Sequence, residues 1–246
     1  MLHAFDSDHG QRANVTLRRV GHAIVRADDE LESLSDRLTA GGWHMVELDV
    51  LALGEQLVVA HDASDLTHPR PLRFADALAA LREHLSPEVG LDVDLKARGF
   101  EHAVVQALRE AGLLQRTLIS SMHPSSLRAA RVAEPSLRLG LSVPRARRDH
   151  LAHPVTRPVA LLALAALRRT LPRRAAAALA SGLADAIMAH WAVVTPALVT
   201  AVRDRGGELY AWTVDDPRRV RELEALGVTG VISNDPSVFG RAGAPA

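Results

Sequence analysis

The chain has 246 residues, 48% of them hydrophobic and 24% charged, with 29 Lys+Arg against 29 Asp+Glu and no cysteine. This composition excludes global disorder, disulfides, thiolate metal sites and a cysteine nucleophile. The zero formal net charge offers no overall positive field to a phosphate backbone, so no nucleic-acid partner is expected.

Residues 1–15 lack the basic and apolar regions of a secretory leader and are read as an N-terminal arm. A single domain is expected over residues 16–240, with a tail at 241–246. No apolar run approaches bilayer length, so a soluble, cytoplasmic chain is expected. Within the domain, short apolar runs predict strands at 17–22, 45–50, 90–95, 117–121, 137–141, 186–189, 208–212 and 230–233. Helical patterns predict helices at 28–39, 74–84, 101–110, 124–132, 196–205 and 217–226. Prolines open three of these helices, and Gly112, Gly206 and Gly227 follow helices at C-cap positions. Eight strands alternating with helices in this length favour an α/β chain folded as a closed (β/α)8 TIM barrel over an open doubly wound sheet.

Two stretches depart from the alternation. After the second strand, a turn at Gly54–Glu55 and an apolar run at 57–60 lead to His61 and Asp62. Residues 144–182 form an extended fifth crossover with one or two apolar helices and arginines at their ends. Core-facing helices with solvated arginine faces are the preferred reading. The sharper alternative is a patch for a membrane surface or a second subunit.

In such a barrel chemistry sits where the strands end. His22 ends the first predicted strand. Glu47 and Asp49 lie two apart in the second and therefore share a face. Asp92, Asp94 and Lys96 alternate along the third. Trp212 ends the seventh, and Asn234 follows the eighth. Barrel-lining positions normally carry Val, Ile or Leu, and charged groups there are costly unless they pair or bind a cation. Lys96 is the only lysine; the other 28 basic residues are arginine. A surviving lysine points to a place where a compact ammonium is needed and a planar fork is not tolerated. Three carboxylates on one rim make an oxygen site for Mg²⁺ or Ca²⁺, with zinc less suited. Two histidines there can act as acid and base. Together with the lysine they suit phosphodiester cleavage.

In order, "VGH" (His22), "VELDV" (Glu47, Asp49), "VVAHD" (His61, Asp62) and "LDVDLK" (Asp94, Lys96) resemble the glycerophosphodiester phosphodiesterase family. The segments "ISSMHPSSL", "YAWTVDDP" and "GVTGVISNDP" look like its fourth, seventh and eighth strand ends, so the resemblance runs from about Val20 to Pro236. It implies a barrel of the PLC-like phosphodiesterase type, with Glu47, Asp49 and Asp94 holding a divalent cation. It also implies His22 and His61 as the acid–base pair and Lys96, Trp212 and Asp62 as substrate-binding residues. Three departures stand out: the family's arginine after the first histidine is Ala23, its Glu-Asn-Thr-like helix start is blurred into "ADDELES", and its third-strand glutamate is Asp94. An Asp-x-Lys pair and a histidine without the following arginine also occur in the related sphingomyelinase D branch. Three functions follow as expectations. The leading one is metal-dependent hydrolysis of small glycerophosphodiesters to glycerol 3-phosphate and an alcohol. The others are a lysophospholipase-D-like transfer on lysolipids giving a cyclic phosphate, and a non-catalytic barrel that binds phosphodiesters.

Overall fold

The computed structural model describes residues 16–29, 37–38, 42–144 and 157–240. Nine strands lie among them: β1 (Arg18–Gly21), β2 (Met45–Leu53), β3 (Gln56–Val59), β4 (Gly90–Leu95), β5 (Thr117–Ser121), β6 (Arg138–Val143), β7 (Ala186–His190), β8 (Glu208–Trp212) and β9 (Gly230–Ser233). The α-helices of eight residues or more are α1 (Phe74–His84), α2 (Glu101–Glu110), α3 (Pro124–Ala133), α4 (Arg157–Ala180), α5 (Pro196–Arg203) and α6 (Pro217–Leu226). Hydrogen-bonded neighbours run β1, β9, β8, β7, β6, β5, β4, β2, and β1 also pairs with β2. Eight parallel strands thus close a (β/α)8 barrel. β3 stands outside the ring, antiparallel to the end of β2.

Local signals explain why these segments form these elements. Pro217 opens α6, the Asp216 side chain accepts from the Arg218 N–H, and Gly227 ends the helix at φ +87°, a left-handed turn that only glycine takes freely. β2 runs three residues past its predicted end because β3 folds back on it, pairing Val50 with Val59 and Leu53 with Gln56. The helix predicted at 28–39 lies largely outside the described residues. Its start is not helical: Asp29 accepts from the Arg26 N–H through its carboxylate at 2.7 Å and donates its own N–H to the Arg26 carbonyl at 3.3 Å. Asp29 closes a turn there instead. The expected arm, the tail and residues 145–156 also lie outside the described residues.

The fifth crossover holds one helix, α4, with Pro172 inside it. Leu171, Ala175 and Ala178 are buried, and Leu164 and Leu167 pack partly against the core on the same seam. Leu161 and Leu162 do not follow that seam and are 50% and 74% exposed. The core-facing expectation therefore holds for the seam and fails for the first described turns.

Inside the barrel, Val20, Met45, Leu118, Met188, Tyr210 and Ile232 pack together. Gly230 makes room for Tyr210: a β-carbon there would lie 2.8 Å from the Tyr210 ring and 2.8 Å from the Arg18 carbonyl. Below this layer Glu208 pairs with Arg18 at 2.9 Å and with Arg138, and accepts from the Tyr210 hydroxyl at 2.9 Å. This network fills the end where the strands begin. The open mouth is at their C-terminal ends.

Candidate active site

The strand register carries the polar residues to the mouth. β2 and β4 pair Glu47 with Asp92 and Asp49 with Asp94, and β5 brings Ser120 opposite Asp94. Residues two apart on one strand share a face, so these positions make two polar layers inside the barrel. His22, Glu47, His61, Asp62, Asp94, Lys96 and Trp212 all line one cleft of about 920 Å³. Asp49 sits behind it, buried. The structure therefore brings together all eight residues to which the resemblance gives a role.

Asp49 is the hub. Its Oδ2 is 2.8 Å from His61 Nδ1. Its Oδ1 is 2.7 Å from Lys96 Nζ, at ion-pair distance but outside hydrogen-bond geometry. Lys96 Nζ also donates to Asp94 Oδ2 at 2.6 Å, and Asp94 Oδ1 accepts from the Ser120 hydroxyl at 3.3 Å. Glu47 Oε2 accepts the Ala23 N–H at 2.7 Å. Ala23 aims that N–H by adopting φ +45°, a left-handed conformation that costs a residue with a β-carbon about 1–2 kcal/mol.

The two imidazoles are held by different kinds of partner. Asn234 Oδ1 is 2.8 Å from His22 Nδ1. Asn234 in turn donates its Nδ2–H to Asp215 Oδ2 at 2.7 Å and its backbone N–H to Asp215 Oδ1 at 2.9 Å, and the Ser233 hydroxyl donates to the same Oδ1 at 2.8 Å. An ionised carboxylate only accepts, so the amide must turn its NH₂ toward Asp215 and its oxygen toward the ring. His22 Nδ1 then carries a proton, so that Nε2 is the acceptor nitrogen of the neutral ring. His61 faces a carboxylate through Nδ1, and its own N–H donates to Asp65 Oδ2 at 2.7 Å. The two ring centroids are 6.5 Å apart at 75°. Trp212 is fixed as a wall by its Nε1–H donating to the Met188 carbonyl at 2.9 Å and by the edge-on His190 ring at 5.2 Å. Asp62 is tied into a local turn by the Ser64 N–H at 2.8 Å.

Burial and mutual repulsion set the charges. Burial pushes the Glu47 carboxyl well up, reinforced by the nearby Asp49 charge. Burial also opposes ionisation of Asp49, but the His61 hydrogen bond and the Lys96 charge outweigh it and hold Asp49 below the usual carboxylate range. Asp92, desolvated and facing the Asp94 charge, is pushed up to about 8; its Oδ1 has no hydrogen-bond partner among the described residues. Burial works against the Lys96 ammonium, yet Asp94, Asp49 and Glu47 together raise it. The hydrogen bond to Asp49 raises His61.

Glu47, Asp49 and Asp94 each offer an oxygen, all within 4.8 Å of one another. A compact trio of hard donors fits a divalent cation, and the Asp49 oxygen facing Lys96 has no directed hydrogen bond among the described residues. Asp215 and Asp65, which position the two histidines, were not singled out from the sequence. The dipeptide Asp215–Asp216 does not reveal that the second caps α6 while the first turns inward.

Fold and site together define a barrel of the phosphodiesterase type. The model of the Glycerophosphoryl diester phosphodiesterase family matches residues 73–238, and the chain belongs to that family. Over 42 residues it is 50% identical to Glycerophosphodiester phosphodiesterase GDPD4 of Arabidopsis thaliana; that match spans 17% of this chain and only 13% of the relative's length. The fold is similar to a glycerophosphodiester phosphodiesterase from Agrobacterium tumefaciens, with a TM-score of 0.65, 18% identity and coverage of 91% of this chain and 97% of that one. It is also similar to an Oleispira antarctica phosphodiesterase solved with the product sn-glycerol-3-phosphate, with a TM-score of 0.62, 17% identity and coverage of 91% and 97%.

Proposed function

We propose that this protein is a metal-dependent phosphodiesterase that hydrolyses small glycerophosphodiesters to glycerol 3-phosphate and an alcohol. The observation that carries this reading is the pair of imidazoles 6.5 Å apart, both beside a carboxylate trio and the sole lysine. Glu47, Asp49 and Asp94 would hold the cation, for which Mg²⁺ and Ca²⁺ fit the oxygen donors. When bound, the cation offsets charge growing on phosphoryl oxygens.

The rest is done by the chain itself. In its neutral form His22 offers Nε2 as an acceptor and takes a proton from the attacking water. His61 is held toward its charged form by Asp49 and gives a proton to the departing alcohol oxygen. Lys96 places a point charge against a phosphoryl oxygen, Trp212 walls the substrate, and Asp62 borders it. Membership of the family, and the glycerol 3-phosphate complex of the Oleispira relative, support the choice of substrate.

Turnover of glycerophosphocholine, followed with and without chelator by phosphorus NMR, tests this. Chelator-sensitive release of glycerol 3-phosphate is expected. His22→Ala and His61→Ala are each expected to lower it by about 10²–10⁴-fold with the fold retained. Accumulation of a cyclic phosphate would replace hydrolysis with internal transfer, and no turnover under any condition would leave a binding barrel.

A further inference from the structure

Helix α4 presents a surface that the cleft does not use. From Arg157 to Ala180 it contains five arginines and no acidic residue. It enters from the mouth side, after β6, whose Ser142 lines the cleft. Arg168 marks the level of the rim, because its Nε donates to the Ala192 carbonyl at 2.8 Å just beyond the end of β7. Below that level the helix is anchored by Leu171 and Ala175. Above it, Leu161 and Leu162 are 50% and 74% exposed, and Ala163, Ala165 and Ala166 are exposed with them. At 1.5 Å per residue, Leu161 stands about 10 Å along the axis beyond Arg168. The exposed apolar residues among 161–166 therefore stand past the barrel mouth, with the exposed Arg168 and Arg169 at their base.

We infer that this exposed stretch docks the barrel onto an anionic lipid bilayer, with Leu161 and Leu162 below the headgroups and Arg168 and Arg169 among lipid phosphates. Apolar side chains of interfacial helices sit about 5–10 Å into the headgroup–acyl boundary, and leucines standing beyond Arg168 can reach that depth while the arginine stays at the headgroups. Guanidinium groups pair well with phosphates, and each basic residue near an anionic leaflet adds to binding. The absence of any Asp or Glu along α4 removes the repulsion that would oppose this approach. No described helix is long and apolar enough to cross a membrane, so the contact is with one leaflet. Docking would turn the mouth toward the surface. The inference does not rest on the proposed hydrolysis, since binding is read without turnover.

Co-sedimentation with vesicles tests it, using phosphatidylcholine alone and phosphatidylcholine mixed in equal parts with phosphatidylglycerol. Binding to the mixed vesicles is expected, weaker at high salt and about tenfold or more above that to the neutral ones. The double substitution Leu161→Gln with Leu162→Gln should lower it by about tenfold, and Arg169→Gln alone by about fivefold. All these side chains are exposed, so the thermal unfolding midpoint should not move, which separates lost docking from lost folding. Failure to bind either vesicle, or binding that the leucine pair does not change, would overturn the proposal. Self-association in sedimentation velocity that the leucine pair abolishes, with no vesicle binding, would overturn it in favour of a second copy of the chain.

Discussion

Asn234 Oδ1 lies 2.8 Å from His22 Nδ1, and the amide cannot flip because its NH₂ is held 2.7 Å from Asp215. A neutral partner thereby fixes which nitrogen carries the proton when the ring is neutral. Asn234→Ala should lower kcat by about 10–100-fold, the range seen when a group orienting a reactive histidine is lost, with KM nearly unchanged. Steady-state kinetics on glycerophosphocholine checks this; an equal loss carried by KM alone would place Asn234 in binding rather than positioning.

Lys96 bridges Asp49 and Asp94 at 2.7 and 2.6 Å with its side chain only 15% exposed. Removing one partner of a buried ion pair costs about 3–5 kcal/mol. Lys96→Met should therefore destabilise the chelated protein by an amount of that order, and a divalent cation should return most of it by replacing the lost charge. Urea unfolding with chelator and with Mg²⁺ measures both. Lys96→Arg should damage turnover even with metal, because the fork is larger than the ammonium whose place it takes.

Asp92→Asn gives a pH signature. The unfolded carboxyl loses its proton near pH 4, whereas the folded one keeps it to about 8. Between those values the folded state holds more protons than the unfolded state, so wild-type stability falls as pH rises and then levels. An isosteric amide has no such cost. In chelator, the stability gained by Asp92→Asn should be small near pH 4, grow to about pH 8 and stay constant beyond. A gain independent of pH would show that Asp92 is ionised throughout.

Ala23→Gly should raise stability by about 0.5–1 kcal/mol, since glycine takes φ +45° without the left-handed penalty but loses more entropy on folding. Denaturant melts check the sign. The Ala23 N–H to Glu47 survives in this variant, so cation affinity measured by calorimetry should not change.

The carboxylates of β2 and β4 were legible because alternation on a strand puts Glu47 with Asp49, and Asp92 with Asp94 and Lys96, where apolar lining belongs. His61 was legible because the apolar run before it stops there. Asp215 was not, because spacing cannot rank two adjacent aspartates when one caps a helix and the other turns inward. Nor was the outward face of α4. A stretch of Ala and Leu alone has no polar side to orient it, and only packing of Leu164, Leu167 and Leu171 against the core selects the seam.

The hairpin of β2 and β3 separates Asp49 from His61 by 12 residues, while 212 separate His22 from Asn234. Contacts close in sequence form with little loss of chain entropy, and distant ones wait for the large loops to shut. The Asp49–His61 pair can thus be assembled while the cylinder is still an open ribbon, whereas the His22–Asn234 pair exists only after the first and last staves meet. During refolding, recovery of turnover would then serve as a chemical clock for ring closure, lagging any probe placed on the hairpin.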